Sequence, residues 1–248
     1  MAKVVLVTGA SRGIGAATAT LAAAQGYSVC VNYRQRRDDA NTVVSAIETA
    51  GGQAIAIQAD ISAEADVVRM FDECEERLGR VSALVNNAGI LETQARLESM
   101  DATRLQRVFS TNIIGTFLCA REAVRRMSTK HGGAGGAIVN ISSMAARLGA
   151  PREYVDYAAS KGAIDTFTIG LASEVAEEGI RVNAVRPGLI YTEIHASGGE
   201  PGRVDRVKTA VPMKRGGTPD EVARAILWLL SDDASYTTGS FLDVSGGR

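Results

Sequence analysis

The sequence predicts an α/β fold, a doubly wound parallel sheet with helices on both faces, from three observations. Short apolar runs alternate with longer helical patterns along the whole 248 residues. The apolar runs are near-continuous and rich in β-branched residues, as strands buried on both faces require. The helical segments between them supply the crossovers that parallel strands need.

Lys3 to Thr8 reads as a buried strand, and Ala-rich Ile14 to Gln25 as a helix stopped by Gly26. Ser28 to Tyr33 is the next strand, and Asp38 to Ala50 a helix ended by Gly51-Gly52. Gln53 to Ala59 alternates as a strand, and Glu64 to Leu78 is a charged amphipathic helix before Gly79. Ser82 to Val85 is a fourth strand, followed by a long helix from about Asp101 to Met127. Beyond the glycine-rich loop Gly132 to Gly136 come a strand, Ala137 to Ile141, a long helix, Val155 to Glu178, and a strand, Ile180 to Val185. Periodicity weakens from Pro187 to Gly217, and Glu221 to Leu230 and Ser240 to Val244 close the chain as a helix and a short strand. No proline-rich linker, repeat or composition break divides it, so a single domain over 1–248 is expected, with a substrate loop or lid at about 188–217.

Composition narrows the function classes. Hydrophobic residues make up 46% and charged residues 22%, ordinary for a globular protein. A net charge of −1 gives no broad attraction to nucleic acid or to an anionic membrane, so neither is expected as a partner. Aromatics, at 5%, are too few for a base-stacking platform. The apolar run after Met1-Ala2-Lys3 is too short for a signal peptide, and no stretch approaches the roughly 20 apolar residues of a spanning helix. Cys30, Cys74 and Cys119 are odd in number and far apart, which fits a reducing, cytoplasmic setting. His131 and His195 have no partners at ligand spacing, so no metal site is expected.

Thr8-Gly9-Ala10-Ser11-Arg12-Gly13-Ile14-Gly15 joins the first strand to the first helix. Glycines there permit a tight turn and let backbone N–H groups approach a phosphate, with the helix N-terminus adding partial positive charge. The spacing is G-x-x-x-G-x-G, and the Gly-Lys-Ser/Thr of a triphosphate loop is absent. At the end of the second strand an acid would bind the ribose 2′-OH of NAD. This chain has Asn32-Tyr33-Arg34 and no acid before Asp38. Arg34 and Arg12 are therefore candidates for the 2′-phosphate, and NADP(H) is favoured over NAD(H).

Tyr157-Ala158-Ala159-Ser160-Lys161 puts a phenol and an ammonium on one helix face. A nearby cation favours phenolate, lowering a pKa that is ordinarily near ~10. Such a phenol exchanges a proton with a carbonyl or alcohol oxygen. Ile138 to Ser143 is an apolar strand ending in two hydroxyls, where a doubly wound sheet binds ligands. A serine there suits the substrate oxygen.

These stretches, with Asp60-Ile61, Asn86-Asn87-Ala88-Gly89, Asn112 and Pro187-Gly188, resemble the short-chain dehydrogenase/reductase family along essentially the whole chain. The tail resembles bacterial members of the glucose 1-dehydrogenase-like and 3-oxoacyl-reductase-like kind. The resemblance implies a Rossmann-type fold and an oxidoreductase acting on CH–OH groups. It implies a catalytic tetrad of Asn112, Ser143, Tyr157 and Lys161, with Tyr157 as acid/base and Ser143 on the substrate oxygen. Lys161 would lower the tyrosine pKa and hold the nicotinamide ribose, and Asn112 would hold a water of a proton relay. Cofactor contacts are implied for Gly9, Ser11, Arg12, Gly13, Ile14, Gly15, Tyr33 and Arg34, and for Asp60 and Ile61 at the adenine. Asn87, Ala88 and Gly89 would pass the adenosine ribose, while Pro187, Gly188, Ile190 and Thr192 would border the nicotinamide. Ser143 and Tyr157 are 14 positions apart, one more than is usual, and 151–156 is the stretch expected to hold the extra residue. Ser142 is the alternative serine, and Tyr154 a rival tyrosine without a lysine four residues on.

The resemblance also implies a homotetramer formed through the two long helices and the last strand. Ala158, Ala159, Gly162 and Ala163 are small enough for close helix packing. Two other functions remain open, a dinucleotide-binding sensor without chemistry and an NAD(H)-preferring sugar dehydrogenase. Among substrates, a 3-oxoacyl thioester on a carrier would want the basic candidates Arg203, Arg206, Lys208, Lys214 and Arg215; an aldose and a xenobiotic ketone are the others.

Overall fold

A computed structural model describes residues 3–248, so Met1 and Ala2 of the N-terminal run lie outside the described residues. Seven strands form one wholly parallel sheet in the order β3-β2-β1-β4-β5-β6-β7. They are β1 (Val4–Val7), β2 (Ser28–Tyr33), β3 (Gln53–Gln58), β4 (Val81–Asn86), β5 (Gly136–Ile141), β6 (Ile180–Pro187) and β7 (Phe241–Val244). The order reverses between β1 and β4, which opens a crevice at their carboxyl ends.

The helices are α1 (Gly13–Ala24), α2 (Arg37–Thr49), α3 (Glu64–Leu78), α4 (Ala102–Phe109), α5 (Gly115–Met127), α6 (Ala145–Leu148), α7 (Val155–Val175), α8 (Ile194–Ser197), α9 (Arg203–Val207) and α10 (Pro219–Leu230). Strand residues alternate between two cores. Val5, Val7, Val29 and Val31 pack on α1, α2 and α10 through Ala19, Ala22, Ile47 and Ile226. Val4, Leu6, Cys30 and Ile57 pack on α3, α5 and α7 through Phe71, Met70, Met127 and Val175.

Most boundaries fall within a residue or two of the expected ones. The long helix expected from Asp101 to Met127 does not hold as one helix. Asp101 caps its start, accepting from the Arg104 backbone N–H at 2.7 Å, but a π turn at Ser110–Ile114 separates α4 from α5. One extra residue per turn is absorbed there, which swings the Asn112 side chain onto the backbone of Ile90. The helix expected to reach Glu178 ends at Val175 and tightens into a 3₁₀ turn. The segment 188–217 contains α8, α9 and a parallel bridge between Ile190 and Gly217, so it folds back along the sheet edge of the crevice.

The crevice is built by close backbone approach. A Cβ on Gly15 would meet Asn87 Nδ2 at 2.5 Å, the Gly9 carbonyl at 2.6 Å and Ala10 Cα at 2.9 Å. Gly15→Ala should therefore destabilise the fold by about 1–3 kcal/mol, measured by urea unfolding.

Candidate active site

A cleft of about 760 Å³ follows the carboxyl ends of the strands. Every expected cofactor and catalytic residue lines it except Gly15 and Asn112, which support it from behind. Gly15 packs on Asn87, and fully buried Asn112 lies beneath the cleft floor at Gly89.

One end is the glycine turn. Gly9 and Gly13 take φ of +60° and +56°, a region that glycine enters freely. The buried Thr8 hydroxyl accepts from the backbone N–H groups of Asn87 and Ala88 at 3.0 Å each. The Asn87 amide donates to the carbonyls of Thr8 and Gly9, at 2.8 and 3.1 Å. From the other side Asn32 Oδ1 accepts from the Gly9 N–H at 3.1 Å. The N-terminus of α1 faces the cleft through Ser11, Arg12, Gly13 and Ile14, with no side-chain cap and no acid in its first turn. Those N–H groups and the helix dipole fit a dinucleotide's pyrophosphate.

Arg34 and Asp60 meet at the end of β2 and β3, Nε to Oδ2, at 2.9 Å. The other Asp60 oxygen accepts from the Ser62 N–H and hydroxyl. The carboxylate expected at the adenine is thus also the anchor of Arg34, whose side chain stays 56% exposed and free to meet a phosphate. The Arg12 guanidinium donates to Ser197 in α8 at 3.4 Å, tying the glycine turn to the 188–217 segment. Tyr33 lines the same end, its hydroxyl accepting from Arg37 Nε at 3.1 Å.

The other end is the tetrad. Lys161 Nζ donates to the Ile141 carbonyl at 2.7 Å and lies 5.6 Å from the centre of the Tyr157 ring. Asn112 Nδ2 donates to the Ile90 carbonyl and the Ser160 hydroxyl, both at 3.1 Å, and Oδ1 accepts from the Ile90 N–H at 2.8 Å. A Cβ on Gly89 would stand at ordinary contact distance from Asn112 Oδ1, 3.4 Å, and Lys161 Nζ, 3.5 Å, so Gly89 faces both. Ser143 Oγ accepts from the Ala145 N–H at 3.1 Å and stands beside the Tyr157 hydroxyl. Ser142 is buried, with its hydroxyl donating to the Lys161 carbonyl at 3.2 Å. Tyr154 donates to the Gly198 carbonyl at 3.2 Å. Both alternatives are thereby occupied elsewhere. Ala150 and Arg152, in the turn before α7, take φ of +43° and +65°.

The electrostatics differ from the expected pattern. Burial pushes the Tyr157 phenol up to about 12, and the Ser143 hydroxyl beside it offsets only part. Burial pulls Lys161 down to about 8, against the opposing pull of Asp165. Removal from water is the larger effect on both groups, and the ammonium donates to a carbonyl rather than to the phenol oxygen.

Sequence reasoning passed over three supports. Asn32 is a buried amide in an apolar strand, and its polarity there was the available sign. A buried pair, Arg104 with Asp156 at 2.7 and 3.2 Å, links α4 to the residue before Tyr157, and Arg104 also donates to the Thr93 carbonyl at 2.6 Å. His195, set aside as a metal ligand, lines the cleft with Nε2 3.0 Å from the Ile190 carbonyl. The basic candidates for a carrier are mostly neutralised. Arg203 pairs with Glu153, Arg206 with Glu200, Lys208 with Asp205 and Arg215 with Glu221.

Residues 9–248 match a family model described as enoyl-(acyl carrier protein) reductase. With this sheet, glycine turn and cleft, the chain belongs to the short-chain dehydrogenase/reductase family, and it is an oxidoreductase of that family. It is 63% identical to an uncharacterized oxidoreductase, YgfF, of Escherichia coli over 99% of both chains. It is 37% identical to glucose 1-dehydrogenase 2 of Bacillus subtilis, over 99% of this chain and 94% of that one. A solved short-chain type dehydrogenase/reductase from Mycobacterium marinum superposes with a TM-score of 0.92 at 35% identity, over 99% of this chain and 94% of the other. Among the described residues no helix is long and apolar enough to cross a membrane.

The lowered lysine has a consequence for stability. Between about 8 and the ordinary ~10.4 of an unfolded lysine, the unfolded chain binds a proton that the folded chain does not. That difference makes stability rise with pH across the window. Lys161→Met should flatten the rise, read as the mutant-minus-parent difference in Tm between pH 7.5 and 9.5.

Proposed function

We propose that the chain transfers hydride between NADP(H) and a ketone or secondary alcohol, with Tyr157 as the general acid/base. The observation that carries the reading is the convergence of Ser143, Tyr157 and Lys161 on one cleft wall, continuous with the glycine turn. The nicotinamide cofactor, when bound, supplies or takes the hydride. In reduction, Tyr157 gives its hydroxyl proton to the substrate oxygen. Ser143 is held by the Ala145 N–H, which leaves its own O–H to donate to that oxygen. Lys161 keeps two donors beyond its bond to Ile141, enough for ribose hydroxyls, and its charge favours the phenolate left behind. Asn112 is clamped by three hydrogen bonds and fixes the distance between the Ile90 loop and the helix carrying Tyr157. A phenol raised to about 12 needs that lysine charge and a bound cofactor to act near neutrality.

The preference for NADP(H) is supported by Arg34, whose guanidinium is oriented by Asp60 at the ribose end of the cleft. The segment 188–217 is read as the lid, since Ser197 reaches Arg12 and a Cβ on Gly13 would lie 3.3 Å from Thr192. A homotetramer is supported by open ground on α7, where a Cβ on Gly162 or Gly170 would meet nothing within 4 Å, and by exposed Ile114, Phe117 and Ile169. A cytoplasmic setting accords with three buried free thiols. The sensor reading gains no support from a phenol, lysine and serine gathered at one point.

Tyr157→Phe should lower kcat by at least about a thousandfold with NADPH affinity within about threefold of the parent, measured by steady-state kinetics and fluorescence titration. Unchanged turnover removes the tyrosine from the chemistry. Arg34→Ala should weaken NADPH by about ten- to a hundredfold and NADH by less than about threefold, since one charge-assisted contact is lost only with the phosphate. Equal losses for the two coenzymes would place Arg34 away from the 2′-phosphate.

A further inference from the structure

The cleft wall beyond the tetrad points to the class of substrate. We infer that the enzyme acts on ketones and secondary alcohols whose body is hydrocarbon, not on sugars; this rests on the oxidoreductase reading above.

Past Ser143 and Tyr157 the lining is Leu91, Met144, Ala145, Leu148, Pro151 and Tyr154. Leu148 is the telling member. It ends the short helix α6 with its side chain in the cleft lining, and it is 46% exposed. A leucine left in water at the mouth of a cleft gains most from an apolar ligand laid over it.

Most polar side chains of this half are bonded to protein partners. The Tyr154 hydroxyl donates to the Gly198 carbonyl. Glu153 and Arg203 are paired with one another, and Arg203 lies 5.0 Å over the Tyr154 ring. The arginine holds the Glu153 carboxyl below its usual range, so the pair stays ionised and closed. His195 has Nε2 on the Ile190 carbonyl and is kept neutral by burial, which leaves Nδ1 as a single unpartnered atom. Glu193 stands apart, beside Gly13 at the glycine turn. Arg248 lines the cleft only as an exposed residue at its rim.

A hexose brings several hydroxyls, each of which loses water on entry and needs a partner. Among the described residues, His195 Nδ1 is the one buried side-chain polar atom of this wall without a partner, so a sugar's hydroxyls would have to compete for groups already bonded to one another. The chemistry is an ordinary balanced exchange. Oxidation of the alcohol would move its carbinol hydride to NADP⁺ and its hydroxyl proton to the Tyr157 phenolate, leaving a ketone, NADPH and the neutral phenol.

The test compares oxidation of trans-2-decalol, glucose and xylose with NADP⁺ at one pH, in the parent, Leu148→Asn and Tyr157→Phe. The expected result is a kcat/KM for decalol at least a hundredfold above either sugar. Leu148→Asn should lower the decalol value about tenfold while NADP⁺ affinity and Tm hold, since Leu148 is half exposed and its loss leaves no core cavity. Sugars turned over as efficiently as decalol, or an unchanged decalol value in Leu148→Asn, overturn the inference. If that sugar turnover vanishes in Tyr157→Phe, the oxidoreductase reading survives alone. Absence of turnover for all three alcohols and their carbonyl products, with either coenzyme, overturns the inference.

Discussion

The seam between β1 and β4 is the constraint on which this molecule depends. Parallel strands leave their carboxyl ends splayed by the sheet's twist, and the crevice there has to be fixed without filling it. Thr8 and Asn87 do this with side chains only one or two carbons long. The threonine hydroxyl takes two backbone N–H groups of the β4 loop, and the asparagine amide gives both its protons to carbonyls of the glycine turn. Four hydrogen bonds thus lock two loops whose residues lie nearly eighty positions apart in sequence. Both the phosphate-facing turn and Gly89, above Lys161, take their positions from that lock.

A second theme is the use of buried amides. Asn32 holds the turn from the β2 side, and Asn86 donates to Asn140, which donates to Thr168 on α7 at 2.9 Å. Each amide occupies a strand position where an aliphatic side chain would pack as well. Unpaired, such groups cost more than they return, so they specify one arrangement of the strands and no other. The helix carrying Tyr157 is thereby registered to β5 by direct bonds as well as by packing, which suits a group whose reach is measured in tenths of an ångström.

How much was legible in the sequence follows from the range of each interaction. Periodicity is a local property, so α3 emerges with the bounds that its charged and apolar faces and Gly79 dictate. Central strands stand out because burial on both faces leaves only apolar residues in β1 and mostly apolar ones in β5. The π turn escapes that logic, since a single extra residue barely disturbs a helical pattern. The helices α6, α8 and α9, at four or five residues, are too short to show a face. At the site, the glycine turn and the Tyr–Lys pair were visible because each lies on one local element. Arg34 with Asp60, and Arg104 with Asp156, were invisible because each pair is made by tertiary folding across 26 and 52 positions. The direction of the tyrosine's pKa was misread for the same reason: helix spacing reports the lysine, but only the packed cleft reports the loss of water.

The strut from Arg104 has a mechanical meaning. One guanidinium grips Asp156 at the root of α7 and the Thr93 carbonyl in the loop after β4. Stretching any of these contacts strands a charge away from water, a penalty steep enough to keep the three parts moving as one body. The wall that carries Tyr157 is therefore braced against widening by itself to suit a bulkier guest. Accommodation is delegated to the opposite side, where surface ion pairs such as those of Glu200 and Arg206 break and re-form at little expense. Rigidity around Tyr157 and tolerance of shape are in this way assigned to separate pieces of one chain.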